Sequence, residues 1–320
     1  MRNYMEPANP KNICKEESDS DITNKIQKYL GTDTAAIALL MTYNPKKVSP
    51  SRISEAYIGL PEELGIEQAL LSIKKDKNIK NLFLLINTFG GMVSSSYKIA
   101  AAIRENFERI TVFVPHIAAS GGTLIALTGN KIVMGEMSNI TPIDVQTIRN
   151  GQMVSVNSMI RAFNAFNELF SETQERDAPY PWKAMADKFD PVEFQEYYDT
   201  SQLMAKHALE ILKHKNSSYI KKSESIVKKL TEGYPTHQTS IRYSEAKKIF
   251  GDDFCIKNDC QEYKELVATM QLWFENYLLE ESANHIIRFV LPQNQEAKEE
   301  ETKDAESNVA RRSAKKVRRS

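Results

Sequence analysis

The chain has 320 residues with 42 basic and 42 acidic side chains, so its net charge is zero and no global field points toward nucleic acid or an anionic membrane. The length suffices for a full core and for one large domain or two small ones. No apolar run approaches the roughly 20 residues that span a bilayer. The first twenty residues are polar, without the apolar stretch of a secretion signal. Cys14, Cys255 and Cys260 have neither framework nor zinc-finger spacing. These features lead to the expectation of a cytoplasmic protein with no metal, no cofactor and no nucleic-acid partner.

In chain order, residues 1–33 are polar and rich in Asp, Lys and Asn, and are expected to be mostly disordered. Ala35–Thr42 reads as a buried strand, and Asn44–Ser54 as a Pro/Ser/Lys loop. Gly65–Lys75 has apolar residues at helical spacing (Ile66, Ala69, Leu70, Ile73). Leu82–Ile86 is apolar without alternation, as a strand covered on both faces should be. Ser94–Phe107 reads as a helix with Ser94, Ser95 or Ser96 as its N-cap. Ile110–Val114 and Lys131–Met134 read as further strands, and Ser120–Thr128 as a short buried helix. Strands alternating with helices imply right-handed crossovers, hence an α/β fold with a largely parallel sheet.

Beyond Ile143 the composition shifts to long helical patterns over about 157–230, interrupted at Ala178–Trp182. Gly233-Tyr234-Pro235 is a turn, Ser244–Phe250 and Gln261–Leu279 are helices, and His285–Leu291 is a terminal strand. The division expected is a domain over 34–291 with a helical insertion at about 157–230, followed by a disordered charged tail over 292–320. There is no internal repeat. The Lys/Arg-rich end from Arg311 reads as a solvated tail, and Tyr180-Pro181-Trp182 as core packing or a subunit contact.

Two glycine turns carry the chemistry. Phe89-Gly90-Gly91 and Ala119-Ser120-Gly121-Gly122 each follow a strand and open a helix. The first offers bare backbone amides; the second sets a serine among small residues. One turn can hold an oxyanion while the other presents a nucleophile. Ser120 reads equally as a plain helix N-cap, and Gly90-Gly91 as a turn needing positive φ or close packing. Phosphate cradling is the weaker reading, because neither G-x-G-x-x-G nor G-K-[ST] is present.

The run INTFGGMVSSSYKIAAAI, then VPHIAASGGTLIALTGNKIVM, then TPIDVQ, resembles the Clp-protease-like serine peptidases. Within them it is most similar to the serine dehydrogenase proteinase family, relatives of signal peptide peptidase A. The likeness covers about residues 35–146, with an echo at Thr231–Phe250. It implies a Clp/crotonase fold of stacked β-β-α units, Ser120 as nucleophile, and the amides of Gly91 and Gly121 as oxyanion donors beside Gly90. It also implies a peptide or protein substrate and a homo-oligomer of rings or stacks. Two residues depart from the family pattern: Phe89 stands where proline is usual, and Asn87 where closer relatives carry histidine.

The general base is the open element, because a lone serine is a poor nucleophile near neutral pH. The Clp histidine position is occupied here by Ile143-Asp144, and His237 falls near the family's later aspartate. A swapped pair is one option, with His237 as base and Asp144 as its orienter. Lys183 is another, since the downstream-helix position of the lysine-dependent relatives is occupied here by Arg161, which stays protonated. His237 as a turn residue and Asp144 as a loop or cap carboxylate are the plainer readings. The function expected is a serine peptidase acting on peptides or unfolded segments through an acyl-enzyme on Ser120. The alternatives are a decayed Clp-like scaffold and an acyl-ester or acyl-CoA hydrolase.

Overall fold

The computed structural model describes residues 14–16, 21–41, 57–149, 152–171, 184, 190–213, 222–279 and 285–292. Its elements are β1 (Cys14–Glu16), α1 (Asp21–Tyr29), β2 (Thr34–Met41), α2 (Leu60–Ile73), β3 (Asn81–Asn87), α3 (Val93–Asn106), β4 (Arg109–Val114), β5 (Ile117–Ala118), α4 (Gly121–Ala126) and β6 (Lys131–Met134). There follow β7 (Asn139–Ile140), β8 (Gln146–Arg149), β9 (Gln152–Ser155), α5 (Val156–Ser171), α6 (Pro191–Lys213) and α7 (Ser223–Glu232). The last are β10 (Ile241–Arg242), α8 (Tyr243–Phe250), β11 (Cys255–Lys257), α9 (Lys264–Leu279) and β12 (His285–Val290).

The main sheet has seven strands in the order β1-β12-β2-β3-β4-β6-β11. All neighbours are parallel except β12 against β2. This is the mixed α/β architecture with a largely parallel sheet that the strand–helix alternation predicts. Strand β2 is buried along its whole length, and its period of two divides the core. Ile37, Leu39 and Met41 face a large cluster with α2, α3, α4, α6 and α7; Ala36, Ala38 and Leu40 face a second cluster with α1 and α9. Trp273 and Tyr277 of α9, both fully buried, fill that second layer.

Two expectations are corrected. Part of the polar stretch 1–33 is ordered: β1 pairs with β12, and α1 buries Thr23 and Ile26 completely. Its helix is strongly amphipathic, so a few apolar residues at helical spacing suffice to dock it despite the polar composition. Helix α3 starts at Val93 with Met92 at the cap position, and no side chain caps it, so Ser94, Ser95 and Ser96 do not. The 44–54 loop, Tyr180-Pro181-Trp182, Lys183 and the 293–320 tail lie outside the described residues.

A second, three-stranded sheet in the order β10-β7-β5 places the site. β5 runs parallel to β7 and β10 antiparallel to it. The ends of β5 and β7 from which the chain exits therefore lie beside the end at which it enters β10. Ser120 follows β5, Asp144 follows β7 and His237 precedes β10. Topology alone brings the three to one edge.

Candidate active site

Ser120 has φ +50 and ψ −111, and is the one residue other than glycine with positive φ among those described. Such a conformation costs on the order of 1–3 kcal/mol and persists only where its surroundings hold it. They do so through a ring of hydrogen bonds. The Ser120 amide donates to Thr141 Oγ1 at 2.9 Å, Ala119 N donates to the Thr88 carbonyl at 2.9 Å, and Gly122 N donates to the Ala119 carbonyl at 2.7 Å. The Thr123 hydroxyl lies 2.7 Å from the Ala118 carbonyl and 2.8 Å from that of Thr141. The Ser120 side chain makes no capping bond to α4, so the plain N-cap reading does not account for it.

The glycine turn packs directly against this serine. Gly90 has φ +93, and a Cβ there would lie 2.6 Å from the Ala119 carbonyl oxygen and 2.9 Å from Ser120 Cβ. Thr88 Oγ1 accepts from the Gly90 amide at 3.1 Å, and Ile58 N donates to the Gly90 carbonyl at 2.7 Å. The turn is thus held without proline, and Phe89 projects outward, 38% exposed. Asn87 also has a local reason: its amide donates to the Met41 carbonyl, and its oxygen accepts from Ile117 N, both at 3.1 Å. It ties β5 to the main sheet.

The Gly91 and Gly121 amides meet no acceptor among the described residues. A side chain at Gly121 would come within 3.4 Å of Gly91 N, which puts the two amides next to one another. Two N–H groups without a protein acceptor near a serine are the kind of donors that an oxyanion would need.

Asp144 and His237, 93 residues apart in sequence, are in contact. His237 Nδ1 lies 2.7 Å from Asp144 Oδ1, and both side chains are largely shielded, 13% and 4% exposed. In a neutral imidazole, a bond to this carboxylate puts the proton on Nδ1 and leaves Nε2 as the lone-pair nitrogen. The Ser155 hydroxyl donates to Asp144 Oδ2 at 2.6 Å. Asp144 is therefore more than a solvent-facing loop carboxylate, and His237 is more than a turn residue bonded to its own backbone. No hydrogen bond joins the Ser120 hydroxyl to a described residue; in empty sites such bonds are often long until substrate binds. Arg161 donates to the Pro235 carbonyl at 3.0 Å. Sequence reasoning missed Thr88, Thr123, Thr141 and Ser155, though the threonine of TPID was a visible signal.

Residues 58–167 match the model of the ClpP-like SDH-type serine proteinases. An uncharacterized protein of Methanocaldococcus jannaschii is 30% identical over 183 residues, 57% of this chain and 55% of the relative. A second from the same organism is 40% identical over 90 residues, 28% of this chain and 30% of the relative. This chain thus spans about half of the one and under a third of the other. Among solved structures, the 1510-N membrane-bound stomatin-specific protease is similar at 14% identity and TM-score 0.41, over 67% of this chain and 79% of that one. No described helix is long and apolar enough to cross a membrane.

Proposed function

We propose that the protein is a serine peptidase that cleaves peptides or unfolded protein segments, with Ser120 as nucleophile, His237 as general base and Asp144 as its orienter. The observation that carries this reading is the His237–Asp144 pair at 2.7 Å, at the edge of the small sheet where Ser120 also emerges. Ser120 Oγ adds to the scissile carbonyl carbon as His237 Nε2 takes its proton. The amides of Gly91 and Gly121 receive the oxyanion, with Gly90 supplying the turn. His237 then gives the proton to the leaving amine as the C–N bond breaks, leaving an acyl ester on Ser120. Water attacks that ester, giving one proton to His237, and the carboxylic product departs as the proton returns to Ser120. Asp144 holds the imidazole in the tautomer the first step needs.

The expected assembly, as in the family the sequence resembles, is a homo-oligomer in the cytoplasm, and sedimentation of the full chain tests the assembly. The activity is tested by release of peptides from a fluorescent unfolded protein. Turnover by the wild type that vanishes in Ser120→Ala is the expected result. Turnover of short esters alone points to an acyl hydrolase, and no turnover of either by the wild type to an inactive scaffold.

A further inference from the structure

The triad needs two loops of distant sequence, around Asp144 and His237, to hold one geometry. Both are bonded to the same short stretch at the start of α5. Ser155, the residue immediately before that helix, donates its hydroxyl proton to Asp144 Oδ2 at 2.6 Å. The Ser155 oxygen in turn accepts from the Ser158 amide at 3.4 Å, which ties it to the first helical turn. Val156 N donates to the Val145 carbonyl at 2.9 Å and closes the β8–β9 hairpin at its base. On the other side, Arg161 Nη2 reaches the Pro235 carbonyl at 3.0 Å, two residues before His237, and the Ser158 hydroxyl at 2.9 Å. Asn157 Nδ2 donates to the Thr231 carbonyl at the end of α7, from which the His237 loop departs.

A carboxylate turns freely about its last bond, because that torsion joins sp³ to sp² carbon and has a broad profile. His237 engages only Oδ1. Without a second contact the plane of Asp144 is free to rotate away, and the imidazole loses the partner that fixes its tautomer. Ser155 supplies that second contact. Arg161 does the corresponding work for the base: its guanidinium, always charged and fork-shaped, pins the loop carbonyl just ahead of His237. We infer that Ser155 and Arg161 are positioning residues for the reaction: from one helix start, the first sets the acid and the second sets the base. This rests on the Ser120–His237–Asp144 reading. Arg161 takes a structural role at a place where the lysine-dependent relatives hold their base.

The test uses the full chain and a fluorophosphonate probe, read as the maximal labelling rate (kinact) and the half-saturating probe concentration (KI). Ser155→Ala and Arg161→Ala should each lower kinact roughly tenfold, about the worth of one hydrogen bond involving a charged group, with KI unchanged. Ser155→Thr keeps the hydroxyl and should restore kinact, which a merely structural role at this position does not require. Arg161 is exposed, so its alanine variant serves if Ser155→Ala does not fold. His237→Ala separates the two ideas. If it labels like the wild type, the triad reading fails and the positioning roles fall with it. If it is dead while Ser155→Ala and Arg161→Ala keep wild-type kinact, the positioning inference alone is overturned.

Discussion

Ser120 and the two glycines facing it are set by steric exclusion as much as by bonding. At Gly121 a Cβ would sit 2.1 Å from Ser96 Oγ and 2.9 Å from Ser96 Cβ, and Ser96 is fully buried in α3. Gly121→Ala should therefore destabilise the fold by about 1–3 kcal/mol, the usual cost of overpacking. It should also displace the Gly121 amide and depress labelling of Ser120. Thermal unfolding alongside probe labelling checks both, and an unchanged Tm would contradict the packing argument. A second expectation concerns Cys255. Burial pushes its thiol up to about 12, so near neutral pH the folded protein should leave it unalkylated by iodoacetamide, to which it becomes reactive once denatured. The serine and glycines were legible in the sequence, because a turn with no room for side chains needs small residues in a row. The pairing of Asp144 with His237 was only one option among several there, because nothing local links residues so far apart.

At the scale of elements, the small sheet of β5, β7 and β10 does the assembling, and its strands are two residues each. Segments so short carry no periodicity, and this is why they were invisible in the sequence while the longer apolar β2, β3 and β4, and the apolar run of β6, were plain. The hairpin β8–β9 and strand β11 were missed likewise; β11 adds a three-residue edge beside β6. Another inter-element contact makes a pH prediction. His207 of α6 stacks on Tyr97 of α3 with ring centroids 3.6 Å apart, while the Tyr97 hydroxyl donates to Glu210. Burial lowers the His207 pKa below its ordinary value, Lys206 adds to that and Glu210 opposes it. A histidine with a lowered folded-state pKa binds fewer protons folded than unfolded. Stability is therefore lost as pH falls through the unfolded value of about 6.5. His207→Phe, which keeps a stacking ring and removes the titration, should lose less Tm than the wild type between about pH 7 and about pH 5. An equal loss in both would show that His207 does not set this pH dependence.

For the molecule as a whole, one sheet divides two apolar layers, and segments far apart in the described chain meet on it. β12 lies between β1 and β2, so a segment near the start of the described chain and one near its end share an edge. The 1–33 stretch was misjudged because composition averages over a segment, whereas docking depends on a few residues such as Ile26. Removing residues 285–292 should leave the apolar edge of β2 unpaired, and the truncated protein should aggregate where the full chain stays in solution. Light scattering of the two side by side checks this. The central claim is that Ser120 is activated by a histidine held by Asp144. Mass spectrometry of the fluorophosphonate-treated protein tests it most directly, by locating the adduct and timing its appearance. An adduct is expected on the peptide containing Ser120, formed roughly 10²- to 10⁴-fold more slowly in His237→Ala, the usual range for loss of a general base. An adduct elsewhere, or one formed equally fast without His237, would contradict it.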